Sequence, residues 1–388
     1  MRIALLRQRV GGPGGAETTV QHLARGLAAA GHEVTVYGSQ PPDEVRAVLG
    51  PRIGYLPVPV WGGKTGRLLT YALNTRRLLR RAVPEVAFSL ERTLGPQVYR
   101  AGDGCHREWL RRRRPFLSPA ARACQSLSLF HRTILALERR LFTHPGLRRI
   151  IANSRQVREE IIRHYQVEAE RLTVIYNGLD RQRFRPLEEP VRTALRTRLG
   201  AAAGKPIILF AGSGFGRKGL AFLIEALGRL KNSASVLWVA GKGNPTQYQL
   251  QAQRLGVAER LKFWGPQEDL APFYQAATVL ALPTIYDPCS NVVLEALGCG
   301  TPVITTAANG AGEFLTPGEN GAILPRPDLR TDLVQALEEY LRRGEAPDVR
   351  RAAAAAVSHL SWEATVDQIL KVLEEAASNA FPKGGRGN

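Results

Sequence analysis

The stretch RIALLRQRVGGPGGAETTVQHLARGLAAAGHEVTVYG, residues 2–38, decides the fold. RIALL (2–6) is a short apolar run of strand length, and GGPGG (11–15) reads as a loop. Glu17 to Ala30 reads as a helix that Gly31-His32 ends, and EVTVYG (33–38) is the next strand. Strand, glycine loop, helix and strand in that order open a doubly wound parallel sheet. The glycine spacing is not that of a dinucleotide fingerprint. The second strand ends in Tyr37-Gly38-Ser39, without the acidic residue that would take a ribose.

The same alternation continues outward. EVAFSL (85–90), QVYRAG (97–102), RRIIANS (148–154) and LTVIYNG (172–178) read as further strands. One long amphipathic helix is expected over about 118–143, with Leu127, Phe130, Ile134, Leu137 and Leu141 at helical spacing. A charged, Pro-interrupted segment over 181–205 breaks the pattern, which then restarts. PIILFAGS (206–213), SVLWVAGKG (235–243), LKFWG (261–265), TVLALPT (278–284) and VITT (303–306) alternate with helical segments. The expectation is an α/β chain of two doubly wound domains, 1–180 and 181–360, with a cleft between them. A last helix, about 361–380, packs back on the first domain and carries Trp362, Val366, Ile369, Leu370 and Leu373 on one face. The tail FPKGGRGN reads as disordered.

A chain of 388 residues is long for one core and comfortable for two. No apolar run approaches the roughly 18 residues of a membrane helix, and the start MRIALL is too short for a signal peptide. A cytoplasmic location is expected. Cys105, Cys124, Cys289 and Cys299 have no CxxC or metal-ligand spacing and read as reduced, mostly buried thiols. The net charge of +19 is unevenly spread. Residues 1–180 hold 29 Lys/Arg and 14 Asp/Glu, and residues 100–149 alone hold 12 Arg against 3 acids, with Arg111 to Arg114 consecutive. Such a field attracts nucleic acid, an anionic membrane or a phosphorylated substrate. Nucleic acid is disfavoured, because no recognition motif appears and the arginines lack interleaved aromatics.

Three constellations carry chemistry. GSGFGRKG (212–219) lies between a strand and a helix, with Gly212 opening it and Arg217 and Lys218 closing it. It reads either as a phosphate-binding turn or as a solvated basic turn, and it lacks Walker A spacing. In TIYDPCSNVVLEALGCGTPVITT (284–306), Ser290 or Asn291 caps a short apolar helix that Gly298 and Gly300 end. Asp287 falls in the loop before that helix and Glu295 about one turn inside it. The first-turn N–H groups between the two acids suit a ligand with hydroxyls at both ends and an anion in the middle. The third constellation is GGPGGAE (11–17), either a plain βα turn or a loop admitting a phosphate or sugar.

With these motifs in place, the chain resembles the retaining glycosyltransferases of family 4, which have the GT-B fold of two facing Rossmann-like domains. The resemblance runs through GGAE, IIANSRQVREEI (150–161), VIYNGLD (174–180), GSGFGRKG, WVAGKG, FWGPQEDLAPFYQAA and the two-acid region. Within the family, FAGSGFGRKGLAFLIEAL and DPCSNVVLEALGCGTPVITT are most similar to the glucosyltransferases of the lipopolysaccharide core. What this implies is transfer of glucose from UDP-glucose to an inner-core heptose, at the cytoplasmic face of the inner membrane. Another sugar or acceptor within the family is the alternative. The resemblance implies that Arg217 and Lys218 clamp the diphosphate, Glu295 binds the ribose and Asp287 binds the donor sugar. It further implies that the backbone of Ser290, Asn291 and Val292 faces sugar and phosphates, and that Gly14, Gly15 and Glu17 close over them. Family members usually carry Glu where this chain has Asp287, one methylene shorter. No Asp-x-Asp metal motif is evident, so neither metal nor cofactor is expected. Asp103, with His106 second, is the candidate polar group near the sugar or acceptor hydroxyl; the alternative is that either caps the following turn. The basic first domain, with Arg111 to Arg114 and the stretch 118–143, is expected to dock an anionic acceptor and membrane, the alternative being an internally packed helix.

Overall fold

In a computed structural model, the structure describes every residue except Pro13, Ala203, Asn232, Ser233 and residues 379–388. The tail FPKGGRGN lies outside the described residues. The chain divides into two compact units, one of Met1–Gly178 with the final helix Trp362–Ser378, the other Leu179–Ser361.

The first unit is built on seven parallel strands: β1 (Arg2–Leu6), β2 (Glu33–Gly38), β3 (Gly54–Pro57), β4 (Val86–Ser89), β5 (Val98–Ala101), β6 (Arg149–Ala152) and β7 (Leu172–Val174). Their order is β3-β2-β1-β4-β5-β6-β7, so the winding reverses between β1 and β4. In open parallel sheets ligands bind outside the carboxyl ends of the strands at such a reversal. The opening stretch behaves as its pattern demands. β1 pairs with β2 from Arg2↔Glu33 to Leu6↔Tyr37, and the helix between them, Gly15–Ala29, buries Val20, Leu23, Ala24 and Leu27. The final helix lies against that face, burying Val366, Ile369 and Leu373 in the same core and stacking Trp362 on His22 at 4.3 Å.

The single helix expected over 118–143 is two, Pro119–Leu127 and Leu129–Phe142. Ser128 breaks it: with ψ at 113° it leaves helical geometry, and its Oγ accepts the N–H of His131 to cap the second helix. Ser competes with helix continuation in this way wherever its side chain can satisfy a first-turn donor. Ile134, Leu137 and Leu141 are buried, but Leu127 is 75% exposed, so it is not part of the core stripe.

The second unit has six parallel strands: β8 (Ile207–Ala211), β9 (Val236–Ala240), β10 (Leu261–Gly265), β11 (Val279–Leu282), β12 (Val303–Thr306) and β13 (Gly321–Leu324). The order is β10-β9-β8-β11-β12-β13, with the reversal between β8 and β11. β8, β11 and β12 are wholly buried apolar or β-branched runs, as expected for a sheet covered on both faces.

Candidate active site

At the β8/β11 reversal, the chain leaving β8 makes a tight turn of helix, Phe215–Lys218, before the longer helix Leu220–Leu227. Gly219 joins them at φ 83°, and a Cβ there would sit 1.9 Å from the carbonyl oxygen of Pro283. Only glycine lets this turn press so closely on the chain leaving β11. The contact is sealed by Ile285 N–H to Arg217 O at 2.8 Å and by Thr284 Oγ1 to the same oxygen at 3.0 Å. Arg217 and Lys218 are thereby delivered to the loop that carries Asp287.

Asp287 Oδ2 accepts from Arg217 Nη1 at 2.9 Å and from Lys218 Nζ at 3.0 Å. Lys218 also donates to Ser290 Oγ at 3.1 Å, and Arg217 to Tyr286 O at 2.8 Å. Lys218 and Asp287 are each 6% exposed. Burial pushes Lys218 below the ordinary lysine range, with Arg217 adding to that and Asp287 opposing it. Burial also works to raise Asp287, but Lys218 and then Arg217 outweigh it and hold the carboxyl below its usual value. Asp287 is pinned by its backbone as well: its N–H donates to Ala308 O at 2.9 Å, and its carbonyl accepts from Gly310 at 3.0 Å.

The helix after this loop is Asn291–Gly298, with Ser290 as N-cap. Ser290 Oγ is taken by Lys218 and makes no side-chain cap bond, while its N–H donates to Asn309 Oδ1 at 3.3 Å. The Ser290 amide, which the resemblance has facing sugar and phosphates, is thus engaged by Asn309 in this structure. Asn291, Val292 and Glu295 lie half-buried on this helix, whose Val293, Leu294, Ala296 and Leu297 are buried. Glu295 Oε2 accepts from the phenol of Tyr274 at 2.8 Å. Burial raises its pKa, against the pull of Tyr274, Arg183 and Lys218. Gly212 ends β8 at φ 110°, and a Cβ on it would meet Lys218 Cε at 2.9 Å, so the glycine leaves room for the lysine stem.

Asp103 and His106 belong to the first unit. Asp103 follows β5, with Oδ2 3.4 Å from Arg7 Nη1 and 3.9 Å from Arg92 Nη1. Asp103 is itself exposed; partial desolvation tends to raise it, but Arg7 and then Arg92 prevail and keep it below the usual carboxylate range. Arg7 follows β1 and also faces Glu91 at 3.5 Å. His106 starts the helix His106–Arg113; its N–H donates to Glu138 Oε1 at 2.7 Å and its Nε2 meets His131 Nδ1 at 3.1 Å. Burial, then Arg92, pushes His106 down to about 4, so its ring is neutral at pH 7. Gly14 caps the helix Gly15–Ala29, with Glu17 half-buried in its first turn. Sequence reasoning misses Arg7, Glu91, Arg92, Glu138, Tyr274 and Asn309; only the position of Arg7, just past the first strand, signals a role. The run Arg111 to Arg114 is also less free than its sequence implies. Arg111 and Arg112 bond the buried Glu108 at 2.6 and 2.7 Å, and Arg113 lies 5.2 Å over the Trp109 ring. Among the described residues, no group of three or more His, Cys, Asp or Glu is arranged to hold a metal ion, and no helix is long and apolar enough to cross a membrane.

A family model described as Glycosyltransferase Family 4 matches residues 13–183, and one described as Glycosyl transferases group 1 matches residues 205–343. The chain is 26% identical to lipopolysaccharide glucosyltransferase WaaG of Escherichia coli (strain K12), over 84% of this chain and 86% of that one. It is 33% identical to a D-inositol 3-phosphate glycosyltransferase of Geodermatophilus obscurus, over 59% of this chain and about half (53%) of that one. Among solved structures, that of WaaG superposes with a TM-score of 0.81 at 23% identity, covering 96% of this chain and 99% of the other. Anabaena HepE in complex with UDP-glucose gives 0.71 at 21% identity, covering 96% and 99%. Likeness at these identities speaks for the pair of Rossmann-like domains.

Proposed function

The chain is a family 4 glycosyltransferase of the GT-B type, and from that premise we propose that it transfers glucose from UDP-glucose, with retention, to a heptose of the lipopolysaccharide inner core. One observation carries the donor half of this reading: Arg217, Lys218, Asp287 and Ser290 converge at the β8/β11 reversal, with Glu295 one turn into the adjoining helix. Two cations against one carboxylate leave a net positive site where a diphosphate can displace or share Asp287. Arg217 and Lys218 then stabilise the charge that grows on the leaving UDP as the glycosidic bond breaks, the kind of fixed electrostatic help that lowers such barriers most. They supply what a divalent ion would otherwise supply, so activity should survive a chelator. Glu295 takes the ribose hydroxyls and Asp287 the hexose. With no carboxylate assigned beneath the sugar, the acceptor attacks on the same face and the leaving phosphate takes its proton. Asp103, held ionised by Arg7 and Arg92, serves to orient a hydroxyl rather than to donate a proton.

The acceptor half rests on the similarity to WaaG and on the basic first unit, which would also hold the enzyme at an anionic membrane surface. The inositol-phosphate relatives, more alike over a shorter span, favour a second acceptor class. Mixing the enzyme with UDP-glucose and either heptose-terminated lipopolysaccharide or inositol phosphate, with UDP release as readout, tests both. Release with the first acceptor alone is expected. Release with neither, from any nucleotide sugar, would sink the proposal.

A further inference from the structure

Glu295 does not stand alone. Its carboxylate is met by Tyr274, from the short helix Ala271–Ala276 that precedes β11. Tyr274 is fully buried, so its phenol was placed there at the cost of desolvating a polar group. The residue is fixed from both ends. Its carbonyl accepts from Thr301 Oγ1 at 2.6 Å, its N–H donates to Leu270 O at 3.1 Å, and its ring lies 6.1 Å from Phe184. The partner is equally fixed, because Glu295 sits on a helix whose neighbours Leu294, Ala296 and Leu297 are buried.

A glutamate has three side-chain torsions, and ordering it when a ligand arrives costs free energy. An immobile phenol bonded to Oε2 removes much of that freedom beforehand. Oε1 has no hydrogen-bond partner among the described residues and is left for a ligand. The phenol also favours the ionised carboxylate, the form that accepts from hydroxyls, against the burial that favours the protonated one. Tyr274 itself stays protonated, its acidity suppressed by burial and by the neighbouring Glu295.

We propose that Tyr274 is the positioning residue for Glu295, holding the carboxylate in place so that the site prefers a nucleoside diphosphate with free ribose hydroxyls over one without them. This rests on the donor reading above, in which Glu295 takes the ribose.

The experiment measures binding of UDP and of 2′,3′-dideoxyuridine diphosphate by calorimetry, for the full chain and for Y274F, over pH 5–8. The parent should prefer UDP by about tenfold or more, since a site built to bond a hydroxyl rejects the analogue lacking it. Y274F should lose about fivefold of that preference, the worth of one hydrogen bond. Its affinity for the dideoxy compound should stay within about twofold. The acid limb of UDP binding should also move to higher pH in Y274F, because Glu295 loses the donor that favours ionisation. A role confined to packing would move neither the preference nor the limb. If Y274F does not fold, T301V serves instead: it removes the hydroxyl that fixes the Tyr274 carbonyl, and a loss of preference in the same direction is expected. A parent that binds both diphosphates equally would refute Glu295 as the ribose ligand. A parent that discriminates while Y274F, or T301V in its place, discriminates as well would overturn the role of Tyr274 alone.

Discussion

Asp287→Asn changes one oxygen to an amide and removes the carboxylate that Arg217 and Lys218 share. Lys218 is the costly partner, because it is 6% exposed and cannot be rescued by water. Breaking a buried pair from one side costs roughly 3–5 kcal/mol. A buried lysine can also shed its proton, which caps the penalty. At about 1.4 kcal/mol per unit between pH 7 and the ordinary lysine value near 10.4, that ceiling is roughly 4.6 kcal/mol. The Arg217 side chain is 35% exposed, and its share is under about 1 kcal/mol after screening. A unit of this size loses about 2–4 °C per kcal/mol, so the transition of the second unit should fall by on the order of 10 °C.

The pH dependence separates this account from mere loss of packing. In D287N the folded pKa of Lys218 lies further below its unfolded value than in the parent. The folded state then binds fewer protons than the unfolded one, so stability rises with pH. The deficit against the parent should shrink from pH 7 towards pH 9.5, by up to about 1.4 kcal/mol per unit. UDP should raise the melting temperature of D287N more than that of the parent, since the diphosphate supplies the missing negative charge. Melting curves at several pH values, with and without UDP, read all three effects. A deficit that stays flat across this range, or a smaller UDP response in D287N, would refute the reasoning.

Replacing Lys218 or Arg217 by Ala should abolish most of the UDP-induced thermal shift while the first unit melts as before. Gly219→Ala forces a Cβ against Pro283 O at a φ of 83°; the expected outcome is a loss above about 2 kcal/mol in denaturant titrations, with UDP binding lost together with stability. Glu138→Gln replaces a fully buried carboxylate that meets Arg92, whose side chain is 11% exposed, at 2.8 Å, and should cost roughly 3–5 kcal/mol in the same titration. Glu108 is fully buried and held down at about 2 by burial-opposing bonds from Arg111, His164 and Arg112. Its stabilising share, on the order of 3 kcal/mol, is complete above pH 4.5 and lost as pH falls through 2, so E108Q should flatten the acid limb of first-unit stability.

How far the molecule is legible in its sequence depends on how local each interaction is. The alternation of short apolar runs with glycine turns and helices spells out two parallel sheets, because buried strands and covering helices each carry their own period. Asp287 and Glu295 declare themselves because both lie within one turn of a single helix start. Ser128 hides the break between two helices, since the apolar spacing of Leu127, Ile134, Leu137 and Leu141 continues across it and a single capping oxygen has no period. The edge strand β3, of sequence GYLP, is half-exposed and too short to stand out. Tyr274 reads as ordinary core, and only the approach of a helix 21 residues later turns its phenol into a partner for Glu295. Arg7 and Asp103 are 96 residues apart and meet because β1 and β5 flank β4, an adjacency that belongs to topology.

The two sheet reversals use one device with a different charge balance, and this bears on what each half would bind. At β8/β11, Arg217 and Lys218 outnumber Asp287, and an anion is the natural complement. At β1/β4, Arg7, Arg92 and Arg100 are matched by Glu91, Asp103 and Glu138. That cluster has its cations already matched by carboxylates, so it offers an anion little, and its carboxylate oxygens suit hydroxyl donors. The positive excess of the first half is therefore not spent at its sheet reversal. It stands on two helices, Lys64–Ala82 and Leu129–Phe142, as the exposed Arg76, Arg77, Arg80, Arg81, Arg132, Arg139 and Arg140. Leu73, Leu127 and Leu129 are exposed along with them, at 49%, 75% and 69%. Exposed leucines beside unspent arginines are the combination that an anionic bilayer surface rewards, at about 1 kcal/mol per basic residue near it. Under the proposed function, the acceptor's sugar and its anionic surroundings would be recognised by different parts of the first unit, and added salt should then weaken vesicle binding while leaving the carboxylate-rich cluster intact.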